Sequence, residues 1–307
     1  MAKKRNLTKI IIGNTFRFLI LILLGGYITL YSLQSFGINI PDFSTKTTKN
    51  NLLPNQHFAL PNYVNSKKSI SITPQTFQNK FEVDTPIMIY HRITVDPDIL
   101  NNAEVKSESL ALTPAKFETD IKNFQDLGYA FEYPSDILAE LNNKKDVKNI
   151  VISIDDGVED VYQNVFPVLK KYNAHAILYI ISGVINDDGY MTYDQIKEML
   201  DSGLVKLGAH TVNHAQLDKL SVSDQRYEIA KSKFDLEYMF HQKITDFAFP
   251  YGMYNDDTLK LVEEAGFETA VNSDNIPLHL ESLQNRYGWN RINSSLTSDY
   301  SVFGIKK

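Results

Sequence analysis

The 307-residue chain contains no cysteine. Disulfide bracing, thiolate zinc sites and cysteine nucleophiles are therefore excluded, and any metal must be held by histidine and carboxylate. Acidic residues are absent from the first 35 positions, where Lys3, Lys4, Arg5, Lys9 and Arg17 carry the only charges. No internal repeat and no coiled-coil period is present, which excludes solenoids and long helical arrays. Disorder throughout is excluded as well, because 43% of the residues are hydrophobic and a chain of this length buries at least one sizeable core.

The basic N-terminus runs into a wholly apolar stretch from Phe18 to Leu24, which continues with few interruptions to Leu33. From Ile10 to Leu33 the segment is long enough to cross about 30 Å of hydrocarbon if Arg17 snorkels toward the basic side. No obvious small-x-small cleavage site follows it, so an uncleaved signal anchor is expected, with the basic tip in the cytoplasm and the remainder outside, and a removed signal peptide is the alternative. Without those five cations the chain keeps 26 basic residues against 37 acidic ones, a formal balance of −11. That balance disfavours a polyanion such as nucleic acid and suits a neutral or cationic glycan.

The expected organisation is a tip and transmembrane anchor over 1–34, an extracellular tether over 35–80 and a catalytic domain over 81–307. Between about Gln34 and Phe81 the chain is rich in Asn, Ser, Thr, Lys and Pro without helical or strand periodicity. From Pro86 onward apolar strands alternate with capped helices. Strands are expected at Pro86–Tyr90, Asn149–Ile154, Ala174–Ile181, Val205–Ala209, Ile244–Phe249 and Glu268–Val271. Helices are expected at Thr113–Gly128, Val158–Tyr172, Thr192–Asp201, Ser221–Phe240 and Asp256–Ala265. Such alternation gives a parallel sheet, open or closed into a barrel, with chemistry at the carboxyl ends of its strands.

Three short segments fall at those ends. Asp155-Asp156-Gly157 places adjacent carboxylates where a buried strand finishes; they repel unless a cation is shared, so one can bind metal while the other serves as base. An acidic turn or helix cap reads equally well from this segment alone. His210 and His214 stand four apart, and one helical turn after the strand would aim both imidazoles at a single ion. In Phe249-Pro250-Tyr251-Gly252, the proline and glycine can hold the Tyr251 N–H toward the cleft as an oxyanion donor, although simple turn chemistry explains the same residues.

Taken together and in this order, the segments resemble the polysaccharide deacetylase family, also called the NodB-homology or carbohydrate esterase family 4 domain. Its Thr/Ser-Phe-Asp-Asp-Gly motif is met by Ser153-Ile154-Asp155-Asp156-Gly157, and its His-Ser/Thr-x-x-His motif by His210-Thr211-Val212-Asn213-His214. The resemblance implies an α/β fold, a distorted (β/α)7-type barrel. It further implies Asp155 as general base and Asp156, His210 and His214 as ligands of one divalent ion. That ion is Zn2+ in the first instance, with Co2+, Ni2+ or Mn2+ also compatible with these donors. Met88-Ile89-Tyr90-His91, followed by Leu127-Gly128-Tyr129, looks like the branch acting on poly-N-acetylglucosamine exopolysaccharide. The implied partners are an acetylated amino-sugar polymer and the exopolysaccharide synthesis machinery, besides the membrane reached by the N-terminal helix.

Two departures qualify this. Ala248 replaces the family arginine that braces the base, and no Leu-x-His motif supplies the general acid: His279 has the wrong spacing, and the run Asn290-Arg291-Ile292-Asn293 has no histidine. His91, at the end of the first strand, is the substitute acid or a substrate-binding residue, with a structural histidine as the alternative. His175 and His241 are expected to be structural, and Tyr254, Tyr287 and Trp289 are candidates for the cleft rim. Competing functions are a peptidoglycan N-acetylglucosamine deacetylase and a catalytically inactive glycan-binding protein.

Overall fold

The computed structural model describes residues 85–102, 105, 110–143, 148–274 and 285–293. All lie within one of the chain's two units, Ala59–Lys307. The expected anchor and the whole of the expected tether fall outside the described residues, and so does His279. Among the described residues no helix is long and apolar enough to cross a membrane.

Among the described residues ten strands form in chain order: β1 (Ile87–Tyr90), β2 (Arg92–Ile93), β3 (Ala111–Leu112), β4 (Ala130–Phe131), β5 (Asn149–Asp156), β6 (Ala176–Ile180), β7 (Val205–Ala209), β8 (Asp246–Ala248), β9 (Thr269–Val271) and β10 (Ile292–Asn293). The main sheet runs β10-β1-β5-β6-β7-β8-β9, with β4 beside the start of β5, while β2 and β3 pair separately. Every one of these pairings is parallel. The sheet curls until its two ends nearly meet: Trp289 bridges Val271 of β9, and Ile292, three residues on, pairs with Met88 of β1. This is a curled, partly barrel-like parallel α/β sheet; the alternation implied a parallel sheet, open or closed, and the resemblance implied a distorted barrel.

Strand alternation divides the core in two. Ile87, Val151, Ile177, Tyr179, Ala248 and Val271 point inward and pack with Trp289, with Tyr133, and with Ile137 and Leu138 of the helix Pro134–Asn143. Their neighbours Met88, Ile152, Ile154, Leu178, Leu207 and Phe247 point outward into the larger cluster beneath the helices.

The helices are α1 (Pro97–Asn101), α2 (Pro114–Asp126), α3 (Pro134–Asn143), α4 (Phe166–Tyr172), α5 (Tyr193–Asp201), α6 (Val222–Phe240) and α7 (Asp256–Glu264). Their starts follow the caps: Thr113, Thr192 and Ser221 accept from the N–H groups of Lys116, Gln195 and Asp224, each worth about 1 kcal/mol. One face of α2 is buried: Phe117, Ile121 and Phe124 are fully enclosed, which contributes roughly 1.5–3 kcal/mol apiece.

The expected single helix over 158–172 is a π-helical turn, Val161–Val165, followed by α4. The helix α3 and the strands β4 and β10 were not foreseen. Two-residue strands offer no alternation to detect, and α3 owes its buried face to the barrel end that it covers.

Candidate active site and metal centre

The three segments do converge at the carboxyl ends of β5, β7 and β8. Asp155 lies on the inward row of β5 with Val151 and Ser153 and is 2% exposed. Regular alternation would turn Asp156 outward. Its φ of +73° breaks the alternation and brings the carboxylate to the mouth, and Gly157 at φ +81° then turns the chain away. The positive φ favours glycine at this position, and a side chain there would also push against the end of the Ile180 side chain.

His210 follows the last residue of β7, but no helical turn comes after it. The 211–213 segment is a plain turn, with Thr211 at φ +63° and His214 at φ +55°. The expected convergence is therefore real, while the helical geometry expected to produce it is not. Nε2 of His210 lies 3.6 Å and Nε2 of His214 3.4 Å from the same atom, Asp156 Oδ1.

These residues fit a divalent ion on three observations. One ligand atom from each of Asp156, His210 and His214 lies within 4.8 Å of the others. Donors about 2.1 Å from a tetrahedral Zn2+ stand about 3.4 Å apart, close to the separations found. Asp156 Oδ1 is buried and has no hydrogen-bond partner, the state of an oxygen waiting for a cation. His210 is also in the required tautomer: its Nδ1 is 2.8 Å from the Ala248 carbonyl, which can only accept, so the proton sits on Nδ1 and the Nε2 lone pair faces the site. Burial pushes the His210 imidazole down to about 3 and also lowers His214, which keeps both rings neutral and able to ligate.

Asp155 is braced by a residue that the sequence reading passed over. The guanidinium of Arg291, 1% exposed, donates Nη1 to Oδ1 and Nη2 to Oδ2, both at 2.7 Å. The same side chain donates Nε to the Asn272 carbonyl at 2.6 Å and Nη1 to Ser153 Oγ at 3.2 Å. Burial alone would raise the Asp155 pKa, but the charge of Arg291, followed by His210, the Arg291 hydrogen bonds and His91, brings it down to about 2. Burial instead raises Asp156, so the neighbouring carboxylates are driven apart.

His91 stands over the same cleft. Its Nε2 is 4.0 Å from Asp155 Oδ2, and its Nδ1 is buried without a partner. Pro250–Gly252 forms a tight turn in which Tyr251 has φ +59°; Gly252 and Met253 donate the turn's backbone hydrogen bonds, and the Tyr251 N–H is in neither. The Tyr251 ring, largely exposed, packs on His214 with centroids 4.6 Å apart.

The polysaccharide deacetylase family model matches residues 142–270, the stretch that carries Asp155, Asp156, His210, His214 and Tyr251. YxkH of Bacillus subtilis, which bears a polysaccharide deacetylase name, is 32% identical over 221 residues, spanning 71% of this chain and 74% of YxkH. This chain belongs to the polysaccharide deacetylase family. Among other members, the poly-β-1,6-N-acetyl-D-glucosamine N-deacetylase of Staphylococcus aureus is 30% identical over 201 residues, 58% of this chain and 68% of that protein. The deacetylase PplD of Streptococcus pyogenes, solved in complex with acetate, superposes with a TM-score of 0.63 at 30% identity, covering 69% of this chain and 92% of PplD.

Seen as a polysaccharide deacetylase, the chain keeps the two motifs and rebuilds the brace. Ala248 is too short to reach Asp155, and the arginine arrives from the segment leading into β10 instead. No local sequence signal marks it, because the two-residue strand that it precedes has no detectable alternation. The rim candidates fare less well: Trp289 is fully buried in the barrel interior, Tyr287 is half-buried with its hydroxyl on the Phe267 carbonyl, and Tyr254 packs on Phe249 at 4.6 Å. His175 bonds the Phe131 carbonyl and stacks on Tyr133, and His241 caps α6 in a left-handed conformation, both structural as expected.

Proposed function

We propose that the chain is a metal-dependent N-deacetylase that removes acetyl groups from N-acetylglucosamine units of an extracellular polymer of the poly-N-acetylglucosamine type. The observation that carries this reading is the juxtaposition of a buried, arginine-held carboxylate, Asp155, with the Asp156, His210 and His214 donor set. The resemblance at Met88-Ile89-Tyr90-His91 and the staphylococcal relative support the polymer class. The acetate found with the PplD structure supports the product.

Asp156, His210 and His214 would hold the ion, most simply Zn2+, which supplies Lewis-acid polarisation of the acetamide carbonyl and a more acidic water. Asp155 stays ionised at neutral pH because Arg291 holds its pKa far below 7. Its Oδ2, the oxygen nearest His91 and His210, accepts the proton of the attacking water. As the water oxygen bonds to the carbonyl carbon, negative charge gathers on the carbonyl oxygen, where the Tyr251 N–H donates. His91 Nε2 gives a proton to the amide nitrogen as the C–N bond breaks, leaving acetate and a free amine. The amine becomes cationic and changes how the polymer adheres.

Residues 81–307 form the catalytic domain in this reading. The basic N-terminus and the apolar run after it support an anchor over 1–34 that keeps the enzyme at the cell membrane, facing outward beside the exopolysaccharide synthesis machinery. Free amines and acetate released from purified poly-β-1,6-N-acetylglucosamine and from peptidoglycan test the substrate. Release from the first and not the second is expected. Release from peptidoglycan alone reverses the substrate, and release from neither with Zn2+ supplied removes the hydrolase reading.

A further inference from the structure

The turn that carries both histidines is held by a residue outside either motif. Thr211 and His214 both occupy left-handed backbone, a conformation that L-residues keep only when their surroundings over-determine it. The two residues between them, Val212 and Asn213, present their N–H groups to one acceptor. Glu228 Oε2 accepts from Val212 N and from Asn213 N, both at 2.9 Å, and Glu228 Oε1 accepts from Asn213 Nδ2 at 2.7 Å. The carbonyls are fixed from the other side, where Ser182 N donates to Thr211 O at 3.1 Å and Gly183 N donates to Val212 O at 2.9 Å. Glu228 is itself 6% exposed on α6; its bond to Val212 N is buried and its two bonds to Asn213 are partly buried, so its charge-assisted bonds are shielded from water and a lost partner is costly.

We propose that Glu228 is a positioning residue for the metal centre: its buried carboxylate clamps the turn so that His210 and His214 face Asp156 at ligating distance. The inference rests on the metal reading above and adds a residue to it. Groups hydrogen-bonded directly to metal ligands typically change metal affinity by about 10–100-fold when removed, and Glu228 acts on both ligands at once through the backbone of the turn between them.

The test is the Zn2+ affinity of the full chain, measured by competition with a chromophoric chelator, together with the visible spectrum of the Co2+-loaded protein. Glu228→Ala is expected to weaken Zn2+ about 10–100-fold and to alter the Co2+ spectrum, while the metal-free protein keeps its far-UV circular dichroism. Glu228→Gln should stay within about threefold of the parent, because its carbonyl oxygen still accepts from both N–H groups and the Asn213 amide can reverse to meet its NH2. Asn213→Ala, at an exposed position, keeps the test open if Glu228→Ala does not fold: it removes one of the three bonds and should weaken Zn2+ by about two- to tenfold. A folded Glu228→Ala or an Asn213→Ala protein with parental affinity and spectrum overturns the clamp alone. A parent that binds no Zn2+ overturns the metal reading and the clamp together.

Discussion

Arginine 291 offers the sharpest perturbation. Its guanidinium is the one group that meets both oxygens of Asp155, and the pair is 1% and 2% exposed. In Arg291→Met a side chain of similar length fills the space and leaves a buried carboxylate with no counter-charge. Breaking a buried pair from one side costs about 3–5 kcal/mol. The depressed pKa expresses the same contact in another form: holding Asp155 at about 2 instead of 3.8 corresponds to about 2–3 kcal/mol of stability. The sign follows from the depressed folded value. This contribution is fully present above the unfolded pKa near 4 and is lost as pH falls through about 2. Without Arg291 the burial effect is no longer outweighed and the folded pKa rises. The variant should thus be about 3–5 kcal/mol less stable than the parent at pH 7, and the gap should narrow on acidification toward pH 3. Urea unfolding at pH 7, 5 and 3 reads the gap. Deacetylation against pH reads the chemistry, whose acidic limb should move to higher pH because Asp155 must now be deprotonated to accept a proton. Parental stability at pH 7 and an unmoved acidic limb would refute the brace.

Three further outcomes follow from the same geometry. Asp155→Asn should lower kcat by about 10²–10⁴ while Zn2+ titration stays near parental affinity, since Asp155 lies outside the ligand set; full activity would remove it as the base. His91→Gln should lower kcat within that same range of about 10²–10⁴ with KM little changed, measured by acetate release; unchanged kcat would return His91 to a structural role. Gly252→Ala should cost about 1–3 kcal/mol in thermal unfolding, because Gly252 has φ +69° and a Cβ there would stand 2.4 Å from Ser273 Oγ; an unchanged Tm would contradict the tight turn.

The sequence was most informative where a strong local signal and the tertiary role agree. The strand Val205–Ala209 is found with the expected limits because its apolar run is bounded by Gly203 and His210. Helices with a Thr or Ser cap begin where that cap predicts. Asp155, Asp156, His210 and His214 were legible because strand ends and motif spacing fix them together. What could not be read depends on contacts distant in sequence. Arg291 reaches Asp155 across 136 residues and sits beside a two-residue strand that exists because the barrel closes there. Trp289 looked like a rim residue by composition and is instead the inward bridge to Val271. The histidine turn was read as helical from its spacing. Its left-handed residues are stabilised by tertiary partners, Ser182, Gly183 and Glu228, which no local pattern reveals.

Anomalous diffraction at the zinc edge from crystals of the Zn2+-loaded protein interrogates the metal centre itself. A single strong peak about 2.1 Å from Asp156 Oδ1, His210 Nε2 and His214 Nε2, with the Asp155 carboxylate beside it and still forked by Arg291, is the predicted result. A map with no peak among those three atoms, or with the zinc bound elsewhere on the chain, would contradict it.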